Sequence, residues 1–146
     1  MDKTDNMNAE KKRGISLVNT SVLAYVGDAA YEIHVRRHVF QQGLLRPDRL
    51  HRASVSYVRA EAQAAVFDAI WEELTPDEQA VARRGKNHKI TSMPHNVNHL
   101  TYKKATAFEA LLGYLNLSGD TERETEIIKR TFEIIESSDI VMNRER

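Results

Sequence analysis

Apolar side chains recur every three or four residues along almost the whole chain, which is the spacing of one face of an α-helix. No run of alternating apolar and polar residues indicates a strand. The pattern predicts a first helix over residues 16–42, after a polar lead-in over residues 1–14 that we expect to be flexible. On this helix we expect one apolar side, formed by Val22, Leu23, Val26, Ala30 and Ile33.

Four later segments share the same period and carry ordinary start and stop signals. Pro47 suits the first turn of the second helix. Thr75 and Glu78 have the spacing of a capping box, in which each residue bonds the backbone N–H of the other. The later predicted helices are residues 46–74, residues 75–85, residues 98–117 and residues 121–137, followed by a frayed tail over residues 139–146.

These elements predict an all-α fold of five to seven helices in one domain over residues 15–138. A chain of 146 residues is long enough to bury a core of its own. No segment approaches the ~20 apolar residues of a membrane span, and the N-terminus lacks the apolar stretch of a secretory signal. With no cysteine, disulfides, zinc–thiolate sites and thiol nucleophiles are excluded. We therefore expect a cytoplasmic protein.

The net charge is zero, with 21 basic and 21 acidic residues, but the charges are unevenly placed. Residues 79–108 contain no Asp or Glu, and residues 33–60 contain only Asp48. A basic surface on a neutral protein suits a polyanion such as nucleic acid, whereas a solvated helix surface is the alternative. The basic residues of the acid-free segment are Arg83, Arg84, Lys86, Lys89, Lys103 and Lys104.

Two acids stand among small and apolar residues on helices expected to lie near the centre of the domain. Asp28 directly follows Gly27 on the first helix. Glu109 is the only acid in KKATAFEALLGYLNL, with Ala105 one turn before it and Gly113 one turn after. A buried carboxylate has to be paired, hydrogen-bonded or bound to a metal. If the two acids converge they suit Mg²⁺, which prefers carboxylate oxygens; two unrelated ion pairs are the alternative.

Two motifs resemble the ribonuclease III family. LAYVGDAAYE is similar to its signature helix, and TAFEALLGYL is similar to its second catalytic helix. RRGKNHK followed by TYKKATAFEALLGYL resembles the short bacterial branch, the Mini-ribonuclease III proteins. The resemblance covers residues 16–137 and implies the helical catalytic domain alone, without a double-stranded-RNA-binding domain. It assigns Asp28 and Glu109 as the catalytic, metal-binding acids, while Ala24 and Thr106 stand where longer family members carry two more.

The resemblance implies a homodimeric, Mg²⁺-dependent endoribonuclease, with Mn²⁺ able to substitute, that cuts double-stranded RNA to 5′-phosphate and 3′-hydroxyl ends. Its implied substrate is the precursor of large-subunit ribosomal RNA, with a ribosomal protein as a further implied partner. Glu32 and Tyr25 are candidates to assist Asp28. A non-catalytic RNA-binding or ribosome-associated module on the same fold is the alternative. The expected RNA phosphate contacts are Arg84, Lys86, Asn87, Lys89, Lys103 and Lys104.

Two pairs of histidines have a spacing that also occurs in zinc sites. His34 and His38 are one turn apart, as are His95 and His99. Neither pair has a third ligand placed by a motif such as HExxH. We therefore interpret these histidines as structural or RNA-facing.

Overall fold

Seven α-helices make up the part of the chain that the computed structural model describes, residues 3–89, 95–96 and 98–138, and no strand occurs within it. The all-α prediction is confirmed. None of the described helices has the length and apolar character needed to cross a bilayer. The helices are α1 (Lys3–Ser16), α2 (Thr20–Gln41), α3 (Pro47–Val58), α4 (Ala60–Ile70), α5 (Pro76–Asn87), α6 (His99–Leu117) and α7 (Thr121–Ser137), with a 3₁₀ turn at Trp71–Glu73.

Helix α6 lies at the centre of the domain. It packs most extensively against α2, and then against α5 and α4, while α7 covers α4 and α6. A helix that is apolar on nearly all sides belongs in the interior, and α6 has that composition. Its buried residues are Ala105, Ala107, Phe108, Ala110, Leu111, Leu112, Gly113, Tyr114 and Leu115.

The crossing of α2 and α6 is unusually close because a glycine lies on each side of it. A Cβ atom on Gly27 would stand 1.7 Å from the carbonyl oxygen of Glu109, and one on Gly113 would stand 1.8 Å from the carbonyl oxygen of Leu23. No side chain can move to relieve such overlaps, since both obstacles are backbone atoms. The two helices are therefore in direct backbone contact, one residue from Asp28.

The N-terminal segment differs from the expected flexible lead-in, because residues 3–16 form helix α1. Lys12 forms an ion pair with Asp120, which precedes α7. Ile15 packs against the core, and the guanidinium of Arg84 donates a hydrogen bond to the carbonyl oxygen of Ser16. These contacts fix a segment whose own pattern is almost entirely polar. The predicted frayed tail, residues 139–146, lies outside the described residues.

The segment predicted as one long helix over residues 46–74 is two helices and a 3₁₀ turn. The break is at Arg59, whose ψ of 149° is extended. No glycine or proline marks this position. The break has a tertiary cause: α3 packs against α2, whereas α4 turns to lay Val66 and Ile70 against the core around α6.

Side-chain caps set the starts of α2 and α5, as they also do for α6 and α7. Asn19 caps α2, its Oδ1 accepting from the N–H of Ser21 at 2.7 Å, so this helix begins at residue 20 instead of 16. The capping box at α5 is confirmed. The N–H of Glu78 donates to Oγ1 of Thr75 at 3.2 Å, and the N–H of Thr75 donates to Oε1 of Glu78 at 2.9 Å.

The expected apolar side of α2 was only partly correct. Leu23 and Ala30 are buried, but Val22 and Ile33 are about half exposed, at 48% and 47%. The buried face instead runs through small residues at the α6 crossing and then along the far half of the helix. Its members are Leu23, Ala24, Gly27, Ala30, Tyr31, Val35 and Val39.

Candidate active site

The close helix crossing brings Asp28 of α2 and Glu109 of α6 to one cavity of about 290 Å³. We call this the acid cavity. It opens between α2, the end of α5 and the first half of α6, so its walls come from three helices that pack on one another. Its lining residues are Ser21, Ala24, Tyr25, Asp28, Gly85, His88, Lys89, Tyr102, Thr106 and Glu109.

The two acids have different surroundings. The side chain of Asp28 is exposed at the cavity mouth, so the expectation that Asp28 is buried was wrong. Glu109 is mostly enclosed, and burial together with the nearby Asp28 carboxylate raises the pKa of Glu109 to about 8. A hydrogen-bonding amide, that of Gln63 on α4, acts in the opposite direction and lowers this pKa. In the absence of a cation, Glu109 therefore keeps its proton at neutral pH, because its ionisation would place a second negative charge beside Asp28.

The donor set suits a hard cation with few protein ligands. Within the described residues there is no group of three or more His, Cys, Asp or Glu side chains placed to hold a metal. Ala24 and Thr106 line the acid cavity without contributing a carboxylate, and the Thr106 hydroxyl donates to the carbonyl oxygen of Tyr102 at 3.0 Å. Mg²⁺ fits such a site because it binds through one or two carboxylates and keeps several waters. A cation there also relieves the repulsion between Asp28 and Glu109.

The predicted RNA-contacting residues do not form one patch. Lys89 lines the acid cavity. Lys86 and Asn87 instead line a second hollow, between α4 and α5, which we call the tryptophan hollow. Residues 90–94 and 97 of the connecting loop lie outside the described residues. The tryptophan hollow is lined by Phe67, Asp68, Trp71, Arg83, Lys86 and Asn87.

The other predicted contacts are engaged within the protein or lie on α6. Arg84 is exposed but donates to the Ser16 carbonyl. Lys104 pairs with Asp68 at 2.8 Å, on the wall of the tryptophan hollow. Lys103 is half-buried on α6. Lys89 is therefore the predicted cation that the structure brings to the two acids.

Of the two residues expected to assist Asp28, one lies in the acid cavity and the other does not. Tyr25 lines the acid cavity and is 80% exposed. Glu32 does not reach it: its carboxylate accepts from Nε of Arg36 at 3.0 Å and faces a different hollow, beside Phe40. Glu32 lies one turn further along the same side of α2 than Asp28, and there its neighbours are Arg36 and Phe40.

Three residues that contribute to the site were not predicted. His88 lines the acid cavity, its Nε2 lying 2.9 Å from Oγ of Ser21. Gln63 approaches Glu109 from α4. His88 had a signal, since it lies within the basic segment KNHK, whereas Ser21 and Gln63 had none that sequence alone reveals.

Of the two histidine pairs, His34 and His38 support the structural interpretation. Nε2 of His34 is 2.7 Å from Oε2 of Glu124, and Nε2 of His38 is 2.5 Å from Oε2 of Glu136. His38 also stacks on Phe132 of α7. This pair of histidines therefore joins α2 to α7.

The raised pKa of Glu109 predicts a pH-dependent stability in the absence of metal. In the unfolded chain this carboxyl ionises near 4.5, whereas in the folded chain it keeps its proton to about 8. The folded state thus binds more protons in this window, so the contribution of Glu109 to stability falls as the pH rises through it. We expect urea denaturation in EDTA to show a larger loss of stability from pH 5 to pH 8.5 for the wild type than for Glu109→Gln.

Titrating groups away from the acid cavity affect both proteins equally, so the difference between them reports Glu109 and its interaction with Asp28. An equal pH dependence in the wild type and Glu109→Gln would contradict the enclosed, repelled carboxyl.

Comparisons with known proteins point to one family. A family model described as Ribonuclease III domain matches residues 21–120, a range that includes both acids. A Brevibacillus brevis protein named Mini-ribonuclease 3 is 45% identical over 127 residues, covering 87% of this chain and 95% of that protein. A Symbiobacterium thermophilum protein of the same name is 43% identical over 114 residues, covering 78% of this chain and 88% of that protein.

Among solved structures, the crystal structure of a protein from Fusobacterium nucleatum has the same arrangement of helices. Its TM-score is 0.74 at 27% sequence identity, over 80% of this chain and 93% of that chain. The similarity therefore extends from the sequence motifs to the helical fold over most of the chain.

Proposed function

Since the chain belongs to the ribonuclease III family, in its Mini-ribonuclease 3 branch, we propose that it is a divalent-metal-dependent endoribonuclease that cuts double-stranded RNA. A ribonuclease activity follows from the family. The metal dependence, the duplex substrate and the assignment of residues are the parts that we propose.

The observation that carries this proposal is the convergence of Asp28 and Glu109 in one solvent-open cavity. A pair of like charges beside each other destabilises a protein unless a cation or a proton offsets it. Lys89 on the same cavity wall offers a positive charge to a phosphate group. Two acids with one nearby lysine suit a phosphodiester held against a metal.

In the proposed mechanism, Asp28 and Glu109 would hold Mg²⁺, or Mn²⁺ in its place. An ion held there would lower the pKa of a bound water and neutralise charge on the phosphate. No side chain acts as a covalent nucleophile. Lys89 binds a phosphate oxygen and orients the strand, and cleavage leaves 5′-phosphate and 3′-hydroxyl ends.

We propose duplex RNA as the substrate because A-form helices present phosphates and 2′-hydroxyls across a shallow groove, which surface cations contact without reading bases. Lys86 and Lys103 supply positive charge outside the acid cavity, and Asn87 supplies a neutral amide that can donate to a phosphate oxygen. Such contacts make binding weaken steeply with added salt. The precursor of large-subunit ribosomal RNA is the proposed natural duplex, presented by a ribosomal protein in the cytoplasm.

The test is to incubate the protein with long duplex RNA, with single-stranded RNA of the same sequence, and with or without Mg²⁺. We expect short duplex products carrying 5′-phosphate and 3′-hydroxyl ends from duplex RNA alone, and no cleavage in EDTA. Binding of duplex RNA that leaves it intact at every Mg²⁺ concentration would instead indicate a non-catalytic RNA-binding module. The lack of carboxylates at Ala24 and Thr106 is what makes that outcome worth testing.

We also propose a homodimer, because one side of α2 exposes an apolar stripe next to the acid cavity. Val22, Tyr25, Ile33 and Phe40 follow one another at helical spacing and are exposed by 48%, 80%, 47% and 60%. A contiguous apolar surface on a monomer is typical of a protein–protein interface. Because Tyr25 also lines the cavity, a second copy on this stripe would border both active sites.

Ile33→Asp is expected to separate the dimer, since it places a charge in the middle of the stripe without touching the acid cavity. Sedimentation equilibrium should give about twice the chain mass of 16.7 kDa for the wild type and a single chain mass for the variant. Leu17→Asp is the matched control, because Leu17 is 74% exposed but lies outside α2. A wild type that sediments as one chain while cutting RNA would contradict the dimer.

A further inference from the structure

The tryptophan hollow, between α4 and α5, shares no lining residue with the acid cavity. Its volume is about 460 Å³, which lies within the range of about 300–1,000 Å³ usual for small-ligand sites. One wall is aromatic: the ring of the half-buried Trp71 packs against the buried ring of Phe67, with their centroids 5.6 Å apart. The core therefore holds the indole in place, while part of it faces the hollow.

The hollow carries two cations that have no acidic partner among the described residues. The guanidinium of the exposed Arg83 lies over the Trp71 ring, 5.3 Å from its centroid, and Lys86 lines the same hollow. Neither forms an ion pair within the part of the chain that the structure describes. The acid on the wall, Asp68, is already paired with Lys104 at 2.8 Å. The hollow therefore offers a net positive charge to a ligand.

Packing alone does not explain this combination of groups. The contact between Arg83 and Trp71 is by itself a common surface interaction. It does not account for the recess beside the indole, which faces the ammonium group of Lys86 and the amide of Asn87 instead of further apolar side chains. A concave surface with an aromatic wall and a few convergent polar groups is the usual form of a ligand site.

These groups match the parts of a nucleotide. A nucleobase is a flat ring that stacks on an indole or on a guanidinium plane. The amide of Asn87 can both donate to and accept from the edge of a base, and Lys86 can bind a phosphate. A base inside a duplex is covered on both faces and paired along its edge, so only an unpaired base can enter. An acidic peptide would satisfy the two cations but would leave the aromatic wall unused.

The hollow is within reach of a strand bound at the acid cavity, because the end of α5 borders both. Lys86 and Asn87 line the hollow, whereas His88 and Lys89 line the acid cavity. The two are therefore separated by about the 10 Å width of a helix. A strand that crosses the end of α5 can occupy both within a few nucleotides.

We propose that the tryptophan hollow binds one unpaired nucleotide of an RNA strand, whose base lies against Trp71 and Arg83 and whose phosphate lies on Lys86. The inference goes beyond the proposed function and rests on it only for RNA as the ligand. An unpaired nucleotide held there fixes the register of the RNA over the acid cavity. The hollow therefore selects which bond near a bulge or an overhang is cut.

Trp71 is the only tryptophan of the chain, so its fluorescence reports this hollow directly. The test titrates the protein, in EDTA, with a short single-stranded oligoadenylate, with a duplex that has one unpaired adenosine, and with a fully paired duplex of the same length. We expect the first two RNAs to quench Trp71, because a base stacks on the indole, and the paired duplex to leave it unchanged. An unchanged signal at saturating oligoadenylate would overturn the inference, as would equal quenching by the paired duplex.

Substitutions test the stacking contact and the cation separately. Trp71→Leu should bind labelled oligoadenylate about 5–150-fold more weakly, as expected for one lost stacking contact, and Trp71→Phe should recover most of that loss. Arg83→Gln avoids the core, because Arg83 is exposed, and it should weaken binding as well. Arg52→Gln is the matched control, since it removes an exposed charge on α3, outside the hollow. Equal losses in Arg83→Gln and Arg52→Gln would indicate general attraction between charges and would contradict the inference.

Two further results separate this inference from its alternatives. If polyglutamate quenches Trp71 as strongly as oligoadenylate does, the hollow is a site for acidic peptides and the inference is wrong. Cleavage of duplex RNA in Mg²⁺ by a protein whose Trp71 responds to no RNA would overturn the inference and leave the proposed function standing. Quenching by oligoadenylate in a protein that leaves duplex RNA intact would support the hollow and overturn the proposed function alone.

Discussion

Replacing Gly27 by alanine is expected to destabilise the protein by more than about 3 kcal/mol, at the upper end of overpacking costs. The new methyl group would lie 1.7 Å from the Glu109 carbonyl oxygen and 2.8 Å from the backbone nitrogen of Gly113. Helices α2 and α6 have to separate to admit it, and α6 is the helix on which the whole core packs. Thermal denaturation followed by circular dichroism should show the melting temperature falling by about 6–12 °C, at 2–4 °C per kcal/mol.

Gly14→Ala is the control for this prediction, because nothing lies within 4 Å of a Cβ atom at that position in α1. Alanine also favours a helix interior by roughly 1 kcal/mol over glycine, so this variant should be as stable as the wild type or more so. If Gly27→Ala has the same melting temperature as Gly14→Ala, helices α2 and α6 are not in backbone contact. Any folded fraction of Gly27→Ala should cut RNA poorly, since the same separation moves Asp28 away from Glu109.

The sequence predicted helices well where local signals decide them, and less well where tertiary contacts do. The capping box at Thr75 and the end of α6 at Leu117 follow from nearby residues. The break at Arg59 has no local signal, because it arises from α3 and α4 packing against different partners. Helix α1 shows the same limit, since its polar sequence is fixed by Asp120 and Arg84, which are distant in sequence.

The candidate site, like the helices, was predictable where local sequence decides it and not where tertiary contacts do. Small residues beside two acids suggested that the acids converge, and α2 and α6 do meet beside them, at Gly27 and Gly113. The sequence did not predict that Glu109 is enclosed while Asp28 is exposed. The periodicity of α2 does not show that no other described helix covers Asp28. Gln63 was missed because its approach to Glu109 depends on where α4 turns after the break.

Asp28→Asn is expected to reduce the rate of duplex RNA cleavage by about 10²–10⁴-fold, which corresponds to losing several kcal/mol of metal-assisted stabilisation in the transition state. The amide has nearly the same size as the carboxylate but no charge, and Asp28 is exposed, so folding should be unaffected. Removing this charge also relieves the repulsion on Glu109, so the pKa of Glu109 should fall in this variant. Single-turnover cleavage at saturating protein, with a gel-shift measurement of RNA binding, separates lost chemistry from lost binding.

Glu32→Gln is the matched control for Asp28→Asn, because it neutralises an acid one turn along the same helix that faces Arg36 instead of the acid cavity. It should cut at close to the wild-type rate. If both variants lose activity equally, the acid cavity is not the centre of the reaction and charge along α2 acts in a general way. If Asp28→Asn alone loses cleavage while retaining RNA binding, the two functions lie on different groups: the acids for the metal, and the cations around them for the phosphates. The chain has a neutral net charge and a locally basic surface. The cations that attract RNA must therefore stand apart from the acids that hold the ion, because otherwise their charges would cancel.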